Sequence, residues 1–243
     1  MVMRQLLVIN FLFVILFSSC HFIGRDRING DGQIITQNRT INGFKSVDVS
    51  SSISLYVSQD TAWSVKVETD NNLQSYIETY IDDEKVLHIH QQDNKSLNAT
   101  KKIKVYVSAP VFEQLEASGA CHIIGQNSLS SAGTFRIGMS GASDAELNIK
   151  APEILVDLSG ASSVTLQGET KNFSVDGSGS SDINCFGLMT ENTSIEISGA
   201  GNAEVYASVK LDIHVSGAAD VKYKGNATVN KDISGAGSVK KVE

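Results

Sequence analysis

From about residue 111 onward, the apolar positions of this chain keep a fixed relation to a small-residue triplet. Ser-Gly-Ala or a near copy begins at Ser118, Ser140, Ser159, Ser178, Ser198, Ser216 and Ser234, with spacings of 22, 19, 19, 20, 18 and 18 residues. Three residues before each serine stand Leu115, Ile137, Val156, Val175, Ile195, Ile213 and Lys231. One residue before it stand Ala117, Met139, Leu158, Gly177, Ile197, Val215 and Ile233. Between them lie Glu116, Gly138, Asp157, Asp176, Glu196, His214 and Asp232. This in-out-in alternation is the period of a strand with one buried face. Five residues after the serine a second strand is predicted, from Ile123, Ala145, Val164, Ile183, Ala203, Val221 and Val239. Leu147, Leu166, Cys185, Val205 and Tyr223 continue it two places on.

Each unit therefore reads as strand, corner, strand and return segment. A repeat of about 19 residues is too short for a strand plus a crossover helix. It fits one coil of a β-solenoid, whose equivalent strands stack in parallel about 4.8 Å apart. Glycine lets the backbone turn where a Cβ would obstruct it, and alanine is expected to fill the cramped inside of the corner. The serine hydroxyl is expected to bond neighbouring coils or the local backbone. Three ladders follow, one each of serine, glycine and alanine. The last unit, KDISGAGSVKKVE, places Lys231, Lys240 and Lys241 where earlier units are mostly apolar or neutral, and reads as a charged, fraying cap.

Residues 44–110 are β-rich without the short repeat. FKSVDVSSSISLYVSQD alternates around Ser50-Ser51-Ser52, which echoes the later corners, and WSVKVET, KVLHIHQQ and KKIKVYVSAP are further strands. NNLQSYIETYID fits a strand or a short helical turn, and 91–100 reads as a polar loop. This half is expected to form longer turns of the same architecture and to cover the first edge of the solenoid. The predicted divisions are 1–19 signal peptide, 20–43 tether and lead-in strand, 44–110 N-terminal β region, and 111–243 repeat solenoid.

GDGQIITQNRTINGFKSVDVSSSISLYVSQ resembles the opening of the auto-transporter adhesin "head GIN" domain family, and SAPVFEQLEASGA with the triplet series resembles its body. The resemblance runs from Gly30 to Val242. It implies an all-β, right-handed parallel β-helix-like solenoid in an exported protein, of a kind common among Bacteroidetes lipoproteins. It carries over no ligand residues. Ser178-Gly179-Ser180 departs from the triplet but stays small.

MVMRQLLVINFLFVILFSSC has a positive start at Arg4, an apolar run from Leu6 to Phe17 interrupted by Asn10, and small residues before Cys20. The run is short for a membrane helix and reads as an export signal. Its end resembles a lipobox with Phe17 at the usual leucine position, which makes Cys20 the expected lipidation site. The alternative is a cleaved secretory peptide that happens to contain a cysteine. Removing residues 1–19 takes away one base of the chain's 20, leaving 19 against 27 acids and a net charge of −8. Nucleic acid, which needs a basic footprint, is thereby disfavoured. Membrane contact is expected through the acylated Cys20 alone.

Candidate chemistry is sparse. Asp144, Asp182 and Asp220 recur four residues after alternate serines, with Ser163 and Asn202 between them. Two coils apart at about 9.6 Å, they sit near the upper limit for an inverting carboxylate pair, but Asp, Ser and Asn are ordinary corner residues. Asp157, Asp176 and Glu196 form one outward column. Ca²⁺ takes such oxygen ligands, yet no Asp-x-Asp-x-Asp-Gly loop is present, and a solvated acidic face is the expectation. His88 and His90 share a strand face and read as a surface pair. His122 and His214 fall in different columns. Cys121 and Cys185 read as small core or corner fillers, too distant to bridge. The sequence thus predicts no catalytic, cofactor or metal residues. It predicts a lipid-anchored scaffold or adhesin of the cell envelope, at the outer membrane, whose partner is a glycan or an envelope protein. A polysaccharide-processing β-helix enzyme is the alternative.

Overall fold

The computed structural model describes residues 26–243, so the signal segment and Cys20 lie outside the described residues. The N-terminal part contains β1 (Asp26–Asn29), β2 (Ile34–Arg39), β3 (Ser46–Val49), β4 (Ile53–Gln59) and β5 (Ser64–Asp70). It continues with β6 (Ile77–Ile81), β7 (Val86–Gln91), β8 (Lys95–Asn98) and β9 (Ile103–Ala109). The repeat part holds β10 (Gln114–Ala117), β11 (His122–Ser130), β12 (Thr134–Met139) and β13 (Asp144–Leu158). It ends with β14 (Ser163–Tyr206), β15 (Lys210–Lys224), β16 (Thr228–Gly235) and β17 (Ser238–Lys241).

The triplets stack as the periodicity requires. Leu115 pairs with Ile137, and Ile137 with Val156, in parallel register; Ser198, Gly199 and Ala200 lie against Ser216, Gly217 and Ala218. Both predicted apolar columns are buried from Leu115 to Ile213 and from Ile123 to Val221. Return-segment residues Phe135, Ile154, Phe173 and Leu211 close the core on its third side. The final coil is thin cover: Lys231, Lys240 and Lys241 are exposed, while Ile233 and Val239 are only partly buried against the core.

The structure corrects the role given to alanine. Ala120, Ala142, Ala161, Ala200 and Ala218 are exposed, and the inside of the corner is filled by the next residue. Cys121, Ser143, Ser162, Ser181 and Ala219 occupy that place, all buried. A strand side chain reverses direction with each residue, so the first inward position after the turn is the third after the serine, where only small side chains fit. Polar members of this column bond their own corner: Ser143 Oγ donates to the Ser140 carbonyl (3.0 Å) and Ser162 Oγ to the Ser159 carbonyl (2.9 Å). The outer serines bond the coil beneath, with Ser140 Oγ donating to the Ala117 carbonyl and Ser159 Oγ to the Met139 carbonyl, each at 3.4 Å.

The N-terminal region departs further from expectation. β3 and β4 form a coil directly beneath β10 and β11, and β7 and β9 form one beneath that, although they come later in the chain. Beyond this lowest coil the strands turn antiparallel: β5 against β9, β2 against β5, and β6 against β7. These strands cover the first edge of the solenoid by hairpin-like pairing, not by longer coils. The ambiguous NNLQSYIETYID is both alternatives in turn, a 3-10 helix at Asn71–Tyr76 followed by β6. The expected loop at 91–100 contains a strand, because β8 pairs in parallel with β1.

The cap is tied by Asp70, whose side chain is sealed from water. Its carboxylate accepts bonds from the Gly32 amide (2.8 Å), the Thr100 amide (2.9 Å) and the Thr100 hydroxyl (2.6 Å). One buried acid thus joins the end of β5 to the turns before β2 and after β8. Burial acts to raise its pKa, but these bonds outweigh that and hold it below the ordinary carboxylate value.

Candidate binding surface

The repeat makes each outward position a column, and two columns carry ionisable groups. The first contains the expected Asp157, Asp176 and Glu196. Register extends it downward through Gly138 and Glu116 to Asp48 and His88, and upward from Glu196 to His214 and Asp232. Asp48 was not anticipated; it stands two residues before Ser50, the same offset as Asp157 before Ser159, so the echo at Ser50 was the available signal. Beside these acids a shallow trough of about 430 Å³ runs along Ser118, Ser140, Ser159 and Ser178. Carboxylates stacked at strand spacing repel one another, which favours hydrated cations or hydrogen-bond donors along the face. Among the described residues, no cluster of three or more His, Cys, Asp or Glu side chains is arranged to hold a metal ion.

At the lower end of this column the expected surface pair His88 and His90 is better ordered than the sequence suggested. His88 lies between two carboxylates, with Nδ1 at 3.2 Å from Asp48 and Nε2 at 2.8 Å from Asp82. Its ring stacks on Tyr80 at 4.9 Å, and His90 meets the same Tyr80 edge-on. Partial burial acts to lower the His88 pKa, but bonding to Asp82 and then Asp48 outweighs it and raises the value. A histidine raised on folding stabilises the fold fully below its unfolded pKa of about 6.5, and that contribution is lost as pH rises through the folded value. Proton NMR is therefore expected to show His88 titrating above 6.5. The melting temperature should fall between pH 6 and pH 9 more in the natural chain than in a His88→Gln variant; equal slopes would remove the clamp from the account.

The second column, four residues after the serine, alternates acids with donors. His122 Nδ1 meets Asp144 at 2.6 Å, Asn202 Nδ2 donates to Asp182 at 3.0 Å, and Ser238 Oγ donates to Asp220 at 2.6 Å. Each carboxylate is engaged by a neighbouring coil, which supports a corner role over a catalytic one. His214 stays in the other column, as expected.

The two described cysteines are both free and buried. Cys121 fills a corner, where Sγ contacts the Ser118 carbonyl at 3.3 Å and burial raises its pKa. Cys185 sits in the core column above Leu166, where burial pushes its pKa up to about 12. Neither is a reactive thiol. No helix among the described residues is long and apolar enough to cross a membrane.

Comparison with known proteins agrees with this architecture. The profile of the family described as "Putative auto-transporter adhesin, head GIN domain" matches residues 43–227. A putative adhesin from Bacteroides fragilis superposes with a TM-score of 0.83 at 20% identity, covering 88% of this chain and 100% of that one. A putative adhesin from Parabacteroides distasonis gives 0.69 at 26% identity, covering 89% and 100%. A putative lipid binding protein from the same species gives 0.64 at 22% identity, covering 90% and 100%. No curated protein matches the chain.

Proposed function

Because the chain belongs to the auto-transporter adhesin head GIN domain family, we propose that it is a non-enzymatic binding scaffold of the cell envelope, anchored through an acylated Cys20. The family description supports a surface role. The anchor is supported by the lipobox-like Phe17-Ser18-Ser19-Cys20 and by the shortness of the apolar run before it. The outer membrane is the proposed address, with a glycan or an envelope protein as the partner.

One observation carries the binding role: the coils repeat the same outward chemistry at strand spacing, with Asp48, Glu116, Asp157 and Asp176 along a serine-lined trough. A partner that is itself periodic can meet such a face at several equivalent points, so weak contacts add up. The protein name of the Parabacteroides relative, a lipid binding protein, leaves lipid among the ligands to be tried.

Anchoring is tested by mass spectrometry of the protein isolated from envelopes. Diacylglyceryl modification at Cys20 is expected, and Cys20→Ala should release the protein from the membrane fraction. Binding is tested by pull-down from envelope extract and by a glycan panel, with the Asp157→Asn/Asp176→Asn double variant expected to lose capture. The same panel is read for new reducing ends. Turnover that disappears in Asp182→Asn would replace this reading with a polysaccharide-processing enzyme.

A further inference from the structure

The corner column ends in a cleft. Ser51 holds the place of glycine in the first coil: it keeps a left-handed φ of 84°, and its carbonyl accepts the Ala120 amide at 2.7 Å. Higher in the column a side chain has no room, since a Cβ on Gly141 or Gly160 would lie 2.5 Å from the glycine carbonyl oxygen beneath it. Ser51 carries a side chain in this position because the coil below it has no corner. After β7 the chain leaves the coil, forms β8 against β1, and returns only at Ile103.

A cleft of about 690 Å³ takes the place of that corner, with Ser51 and Ser52 on one side and residues 91–103 around it. The volume is that of a small-ligand site. In the coils above, the amide of the third corner residue donates to the carbonyl beneath: Ala120 to Ser51, Ala142 to Gly119, Ala161 to Gly141. The Ser52 amide holds the same position and has no backbone acceptor among the described residues. Ser52 is exposed at the cleft, so this amide is an open donor that an oxygen-bearing occupant can meet.

The charge of the cleft runs against that of the chain. Lys95, Lys101 and Lys102 line it, with Asp93 the one acid in the lining. Lys95 is held by Asp26 at 2.9 Å. Lys101 and Lys102 are exposed and pair with no carboxylate among the described residues, which leaves the cleft positive in a chain of net charge −7. Most of the remaining lining is amide and hydroxyl side chains, which match the hydroxyls of a sugar ring.

We propose that this cleft binds an acidic saccharide, its carboxylate set between Lys101, Lys102 and the Ser52 amide, and its ring hydroxyls against the surrounding amides. The site lies at the first corner, apart from the acidic trough, and stands or falls independently of the adhesin reading.

The purified full chain is titrated calorimetrically with a glucuronate-containing disaccharide, its neutral glucose counterpart, and inorganic phosphate. The acidic disaccharide is expected to bind at least about tenfold more tightly than either control, and more weakly as salt rises. Lys101→Ala/Lys102→Ala, both exposed positions, should weaken binding about tenfold with melting unchanged. Ser51→Gly, which restores the residue of the rest of the column, should weaken binding without loss of stability. The proposal is overturned by equal binding of the acidic and neutral disaccharides, by phosphate binding as tightly as the disaccharide, by unchanged affinity in the lysine variant, or by no heat at millimolar ligand.

Discussion

A Gly160→Ala chain is expected to be destabilised by about 3–5 kcal/mol, far more than a methyl group costs at an ordinary surface corner. Two effects combine. Gly160 has φ +80°, a conformation that costs an L-residue roughly 1–2 kcal/mol, and its new Cβ would lie 2.5 Å from the Gly141 carbonyl oxygen. That oxygen cannot step aside, since it accepts the Ala161 amide at 2.7 Å and is part of the bonding between coils. Gly43 supplies the control, with φ +85° and nothing within 4 Å of its would-be Cβ. Gly43→Ala should therefore lose only the conformational part, about 1–2 kcal/mol. Urea denaturation of both variants separates the terms. Equal losses would mean that the column is set by backbone conformation alone and that the close stacking of corners contributes nothing.

Asp70→Ala is expected to cost about 2–3 kcal/mol, concentrated in the cap. The substitution removes the common charged acceptor of the Gly32 amide and both Thr100 donors and leaves a void where the buried carboxylate sat. Because coils interact chiefly with their neighbours, the loss should show as local opening. Hydrogen exchange should accelerate in β1, β2 and β8 while the repeat from β12 onward keeps its protection. Gly30→Ala is an independent approach to the same joint, since its Cβ would lie 2.3 Å from the Asp70 carboxyl carbon. The pH dependence has a definite sign. A carboxyl lowered on folding contributes its stability above the unfolded pKa of about 3.9, and that contribution fades as pH falls through the lower folded value. The acid-induced loss of cap protection should therefore vanish in Asp70→Ala. Uniform acceleration along the whole chain would show that the cap is not a separate unit.

These two sites also mark how far the fold could be read from the sequence. The repeat was legible because identical residues must lie over one another: once Gly141 and Gly160 are equivalent, the positions of Val156, Val175, Ala145 and Val164 follow. The inside of the corner is less legible, because the triplet's spelling suggests alanine whereas alternation counted from the turn places Cys121, Ser143 and Ser162 inward. The cap was less legible for a different reason. β7 and β9 lie below β3 and β4 against chain order, and nothing local to VLHIHQ or IKVYVSA encodes that inversion. Asp70 and Thr100 are 30 residues apart and make their bond only after the inversion has occurred. Of the candidate sites, the acidic column could be read because it shares the period of the repeat. The cleft could not, because it exists where a corner is missing.

The direction of the backbone bonds between coils has a mechanical consequence. In β14 and β15, fifteen successive positions from Asn192–Lys210 to Tyr206–Lys224 are paired across a single coil boundary. All of these bonds lie along the stacking axis, perpendicular to the strands. A pull spread over a whole coil would load every bond of a boundary together, whereas a pull on one chain end would open the boundary bond by bond from that end. Under a distributed pull the fifteen-pair boundary between β14 and β15 would outlast the antiparallel strands of the cap, which are joined by only five or six pairs each.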